Sequence, residues 1–437
     1  MKKIGLQLTV AIVTIFTLQM KLPADDWLRF RGNDGSGVAK DSQPTVTEFS
    51  QSKNLVWKSE LPGAGASSPI LVGQKIFITC YSGYGLNREV PGDIADLKRH
   101  VCCFDKSSGK KIWQKDLDSV QPEDPFYGMG VPEHGYASAT PVSDGKYLFT
   151  FFGKTGVQAF DLDGNSIWST SVGTSSGSRK WGSGASLEIH DNIVIVNASD
   201  ESATLYGLDK QTGKTIWKND NIENVWSTPL VVGTGDEATL VFSVPYEVWG
   251  LNPSNGKLKW FSTNGVQDST VSTSPIAENE TIVAMGGRSS TAVAIRTGGE
   301  KGQDVTDSHT IWEARSTSKI TTPVMVDGYI YGISRGIATC LDAKTGEEVF
   351  RERVPTTSAN GTGRRSPSSD YCSPVVADGK IYQFTKNGSC YVMAAKPKFE
   401  MLMVNSINDG SEFNSTPAVL DGKLFVRSNK FLYCIGK

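Results

Sequence analysis

The sequence predicts an all-β protein, an eight-bladed β-propeller of four-stranded blades. Three observations carry this: a repeat that runs through the chain, a turn-and-tryptophan ending inside most repeats, and a lone strand ahead of the first repeat that the last repeat lacks. Composition agrees. The 437 residues include 45 Gly and 10 Trp, with 38% apolar and 21% charged residues. Many turns and many large rings suit short strands, and this apolar content suits a folded chain. Lys plus Arg number 44 and Asp plus Glu 46, a formal charge of −2. That balance excludes a protein whose whole surface grips nucleic acid or anionic lipid.

Each unit opens on Ser or Thr, then Pro, then apolar residues. It passes an Asp-Gly turn and a short β run, and ends on apolar-Asp-x-x-x-Gly-x-x-x-Trp. Pro69, Pro141, Pro229, Pro275, Pro323, Pro374 and Pro417 mark the openings, and Leu187 holds that place in the one unit without the Pro. Most marks lie about 45 residues apart, the length of one four-stranded blade. The ending is sharper: Asp105, Gly109 and Trp113; Asp209, Gly213 and Trp217; Asn252, Gly256 and Trp260; Asp342, Gly346 and Phe350. Asp161, Gly164 and Trp168 repeat it one residue shorter, and Trp312 closes a unit swollen by the insert Gly298 to Ser308. The Asp side chain caps the turn, Gly takes positive φ, and the ring fills the wedge between neighbouring sheets. The last unit, Pro417 to Cys434, stops before any such ending, while Asn54-Leu55-Val56-Trp57 is a strand with a Trp and no unit of its own. That strand completes the last blade and removes the free edges. Seven blades is the alternative if the unit around Leu187 or Pro275 is degenerate.

At the N-terminus, Lys2 and Lys3 precede an uncharged apolar run from Ile4 to Leu18, and Leu22-Pro23-Ala24 offers a cleavage site. Residues 1–24 read as a signal peptide, 25–53 as an N-terminal extension and 54–437 as a single propeller domain. A membrane anchor is the alternative reading of the apolar run. The expectation is an exported protein, periplasmic or cell-surface, with no stable membrane insertion after cleavage.

The repeats resemble the pyrroloquinoline-quinone (PQQ) repeat family. Leu208-Asp209-Lys210-Gln211-Thr212-Gly213-Lys214-Thr215-Ile216-Trp217 and Leu341-Asp342-Ala343-Lys344-Thr345-Gly346 carry its motif, with Phe350 in place of the second Trp. The family includes quinoprotein dehydrogenases, the non-enzymatic propeller subunit of the outer-membrane β-barrel assembly machine, and further exported bacterial propellers. Trp27-Leu28-Arg29-Phe30-Arg31-Gly32 and Glu133-His134-Gly135-Tyr136-Ala137-Ser138 resemble the last group most. The motif residues build blades and touch no ligand, so the resemblance implies the fold more than a cofactor.

In the dehydrogenase branch the resemblance implies PQQ on a Trp floor in the axial funnel, a covering disulfide between adjacent cysteines, a calcium ion beside it and an Asp base. Cys102-Cys103 invites that comparison, but the register opposes it. Cys103 stands two before Asp105, where other units have Ala159, Gly207, Gly250, Cys340 and Cys434. That is a place for small buried residues, and Cys102 then faces the other side of the strand. The seven cysteines (Cys80, Cys102, Cys103, Cys340, Cys372, Cys390, Cys434) form no C-x-x-C pair, and an odd count leaves at least one thiol free.

Candidate ligand-binding residues at the channel mouth come from position. Trp181 and Trp226 precede inner-strand marks and lie outside the blade-closing set. Two long insertions mark the first repeat, Tyr81 to His100 and Asp118 to Gly135; the second holds Glu133 and His134, which with Tyr136 sit just before an inner strand. Long connections on a rigid scaffold are where binding usually lives. Arg288 and Arg335 suggest an anionic ligand. Gly361 to Ser369 reads as a mobile loop. Gly173-Thr174-Ser175-Ser176-Gly177 matches G-x-S-x-G without its strand-to-helix context. No catalytic residue and no metal ligand emerges. The expectation is a binding or scaffold module for a cell-envelope protein or glycan, without catalysis, cofactor or nucleic acid. A PQQ- and calcium-dependent alcohol or sugar dehydrogenase is the alternative. A hydrolase or lyase using Glu133, His134 and Tyr136 is a third reading.

Overall fold

A computed structural model describes residues 26–40, 43–263, 266–286, 290–316, 318–355 and 371–437. The expected signal peptide and the stretch Gly361 to Ser369 lie outside them. Eight antiparallel sheets surround a central axis. The first blade runs from its inner to its outer strand as Ile70–Val72, Lys75–Ser82, Lys98–Asp105 and Lys111–Asp118. The last comprises Ala418–Leu420, Lys423–Arg427 and Phe431–Ile435, and its outermost strand is Leu55–Glu60 from the other end of the chain. The ring therefore closes by the expected overlap, with Trp57 opposite Cys434. The units around Leu187 and Pro275 both form full blades, so the count is eight.

The tryptophans explain the spacing of the motif. Each blade-closing ring docks on the turn of the next blade. The indole N–H groups of Trp57, Trp113, Trp168, Trp217 and Trp312 donate to the carbonyls of Lys106, Leu162, Lys210, Pro253 and Ala343 at 2.9–3.2 Å. Those carbonyls belong to the residue after the capping Asp or Asn. The caps form as expected: Asp209 Oδ1 accepts from the Thr212 amide at 2.8 Å. Gly213 serves twice, since its φ is +70° and a Cβ there would lie 2.6 Å from the Trp168 ring. The ring also dictates its cross-strand neighbour. Trp217 pairs with Gly207 and Trp113 with Cys103, and a Cβ on Gly207 would lie 2.2 Å from the Trp217 ring. Cys103 packs with Phe77 and Phe160, whereas Cys102 packs with Cys80, Phe425 and Tyr433. The two neighbours thus face opposite sides, and all seven thiols are buried and unbridged.

Two features were not foreseen. The insert in the fifth unit supplies Gln303–Asp304 as a fifth strand, parallel to Leu258–Ser262 at the outer edge of the fourth blade. The N-terminal extension crosses the channel. Trp27 pairs with Leu71 of the first inner strand, and the Leu28 carbonyl accepts from Ser143 of the second. Arg29 forms a buried ion pair with Glu188 of the third. Arg31 donates to the carbonyls of Thr322 and Pro323 at the start of the sixth, at 2.6 Å each. The Gly37 carbonyl accepts from Val376 of the seventh at 2.8 Å. One short segment thus ties together inner strands from around the ring.

Candidate functional site

Strand direction reverses at each step across a blade, so connections after the second and fourth strands open on one face. Both insertions of the first repeat are of this kind. So are the segments carrying Trp181, Trp226, Lys319, Arg335, Tyr371, Lys386 and Asn414. They surround an axial cavity of about 930 Å3. Phe30 of the crossing segment lines it, so its lower wall comes from the extension.

The neck is a ring of hydroxyls. Ser68, Thr140, Ser186, Thr228, Ser274, Thr322, Ser373 and Thr416, one per blade, all line the cavity. The amide of each of the first seven donates to the hydroxyl oxygen of the next, at 2.9–3.1 Å. These are the residues before each Pro mark and before Leu187. The opening pattern therefore encodes an interblade clasp as well as a strand start. Because seven of these hydroxyl oxygens, from Thr140 to Thr416, accept from a neighbouring blade, their own O–H groups remain donors for the channel.

Of the expected residues, Glu133, His134, Trp181, Trp226 and Arg335 line this cavity. Tyr136 does not. It is buried in an aromatic cluster with Tyr81, Tyr84 and Phe126, and its hydroxyl donates to the Asp124 carbonyl at 2.6 Å. These ring contacts and the Asp124 carbonyl hold it inward, away from the mouth. Arg288 lies outside the described residues. Phe30, Lys319, Tyr371 and Lys386 were missed, because no spacing in the repeat singles out a residue on a short connection.

The ionisable groups are largely committed. Glu133 accepts from Arg88 at 2.6 Å and from Lys386 at 3.0 Å. Burial alone would raise its carboxyl, but these two cations hold it below its ordinary value. His134 contacts the Ser138 hydroxyl through Nδ1 at 2.5 Å and the Trp181 carbonyl through Nε2 at 2.9 Å. Burial lowers its pKa, so it is neutral at pH 7. Trp181 and Trp226 pack with ring centroids 4.8 Å apart, and the Trp226 indole donates to the Gly182 carbonyl at 2.8 Å. Beneath the Trp181 connection, burial together with the charge of Asp124 raises Asp200 to about 7. Burial raises Glu201, which accepts from Ser183, to about 8.

A PQQ–calcium centre does not fit these residues. Among the described lining residues Glu133 is the one carboxylate, and it is occupied by two cations. Calcium takes six to eight oxygen ligands with carboxylates prominent among them. The adjacent cysteines lie inside the blades, away from the cavity. Among the described residues no group of His, Cys, Asp or Glu has the geometry to hold a metal ion.

The fold and the motif define a PQQ-repeat propeller. The family model described as "Outer membrane protein assembly factor BamB" matches residues 97–352, more than half of the chain, and the chain belongs to that family. The outer membrane protein assembly factor BamB of Yersinia pestis is 25% identical over 268 residues, covering 56% of this chain and 62% of that protein. The chain thus matches less than two thirds of that relative's length. Among solved structures, BamB from Moraxella catarrhalis superposes with a TM-score of 0.61 at 14% identity, covering 88% of this chain and 99% of that one. A quinohemoprotein alcohol dehydrogenase from Pseudomonas putida HK5 gives 0.60 at 10% identity, covering 94% and 80%. At such identities the structural likeness shows the fold alone. No helix among the described residues is long and apolar enough to cross a membrane.

Proposed function

We propose that this chain is an exported binding module of the cell envelope, periplasmic or cell-surface, whose funnel face receives a protein or glycan partner without chemistry of its own. One observation carries this reading. The funnel's carboxylate and its imidazole are both engaged, so what remains for a ligand is cations, hydroxyls and ring faces. Those groups suit binding; as bases or nucleophiles they would need activation by a neighbouring group. The insertion tips add apolar contact area beside the mouth, where Tyr127 is 83% and Met129 70% exposed. The family's assembly-factor description supports a protein partner.

Calorimetric titration with PQQ, with and without calcium, followed by a dye-linked alcohol and sugar screen, tests the reading. It expects no heat, no change in Tm and no dye reduction. Calcium-dependent binding near one equivalent with dye reduction would replace it with the dehydrogenase alternative.

A further inference from the structure

We infer that the funnel takes the end of an acidic, uronate-type oligosaccharide. The inference rests on the binding-module reading and names the ligand class of that same cavity.

Charge is the first argument. Among the described lining residues Arg88, Lys319, Arg335 and Lys386 face one carboxylate, Glu133. Arg88 and Lys386 are paired with it. Lys319 and Arg335 have no ion pair among the described residues, and both flank the sixth blade, on the connections before its first strand and after its second.

Backbone conformation is the second. Arg335 sits in the two-residue turn between Tyr329–Ser334 and Ile337–Asp342 with φ +51°, followed by Gly336 at +74°. Such turns favour Asn, Asp or Gly at the first place. The chain follows that preference at Asp327, Asp378 and Asp421, each with positive φ and each before a Gly. A long cation in this conformation at the funnel mouth gives up local stability, as residues at binding sites do. Its planar fork matches a carboxylate.

The shape and lining of the cavity are the third. Trp181 and Trp226 flank the third blade, across the cavity from the free cations of the sixth, where Tyr371 adds a further ring. Sugar rings present apolar faces that stack on aromatics. The hydroxyl ring between the walls both donates and accepts, as sugar hydroxyls require. The crossing segment with Phe30 obstructs the far end, so a chain enters by its terminus.

Titration of the full chain with a uronate tetrasaccharide, with maltotetraose as the neutral counterpart and with tetraglutamate tests this. The uronate binds and the other two do not. Arg335→Asn and Lys319→Gln each weaken the uronate about tenfold or more, and so does raising salt from low ionic strength. Arg335→Asn places a turn-favoured residue at that position, so its Tm does not fall, which separates lost binding from lost folding. No heat with the uronate, binding of maltotetraose or tetraglutamate as tight as the uronate, or unchanged affinity in both variants would each overturn the inference. A tetraglutamate result would leave the binding-module reading standing. Calcium-dependent PQQ uptake with dye reduction would remove that reading whatever the saccharide does.

Discussion

Single residues in this chain are fixed by what their neighbours exclude. Gly213 and Gly379 both have positive φ, but only at Gly213 would a Cβ meet a ring; at Gly379 it meets open space. Gly213→Ala is therefore expected to cost more than Gly379→Ala, by about 1–2 kcal/mol in denaturant unfolding, because overpacking adds to backbone strain. Asp200 shows the opposite stress, a carboxyl whose burial favours the proton. The folded values of about 7 for Asp200 and about 8 for Glu201 exceed the ordinary 3.8 and 4.5. Folding then takes up protons, so the stability these groups allow is greatest below about pH 4 and falls as pH rises toward about 8. Asp200→Asn, of the same shape and without the charge, is expected to raise Tm at pH 8 by about 2 °C or more and to change it less at pH 5. An equal change at both pH values would contradict the buried-charge account. The role of Gly213 was legible from the motif. The stress on Asp200 was not, because burial depends on which distant connection covers it.

Strands and connections follow the same division. Blade-closing rings were legible because a ring that spans a wedge needs a tight turn on the next blade and a small residue opposite, and both recur at fixed spacing. Trp217 is 7% exposed and holds both contacts. Trp217→Ala is expected to cost about 3–5 kcal/mol. The extension was visible as a segment but not as a part of the channel. Its contacts reach the first, second, third, sixth and seventh inner strands, and no local pattern encodes such a path. Arg31 is the measure of that path. It is 1% exposed and satisfied by carbonyls of the extension itself and of the sixth blade. Arg31→Met is expected to leave those buried carbonyls without donors and to destabilise by about 2–4 kcal/mol in urea unfolding, more than an exposed Arg→Met exchange such as Arg353→Met.

At the scale of the molecule the two faces of the ring do different work. Asp-Gly turns and Trp docking sit on one face and hold the blades together. The two long insertions of the first repeat sit on the other and help shape the funnel. The sequence carried the first face almost completely, because packing repeats. It carried the second only in part: Glu133, His134, Trp181, Trp226 and Arg335 converge there, Tyr136 turns inward, and Phe30 arrives from outside the repeats. The most direct test of the central claim, that the funnel face is the working surface, is photo-crosslinking in the intact cell envelope. One variant carries the reactive side chain at Met129 beside the funnel, and a second carries it at Lys344 in a turn of the opposite face. The account predicts a discrete adduct from position 129 that is absent from position 344. An adduct from position 344 alone would contradict it.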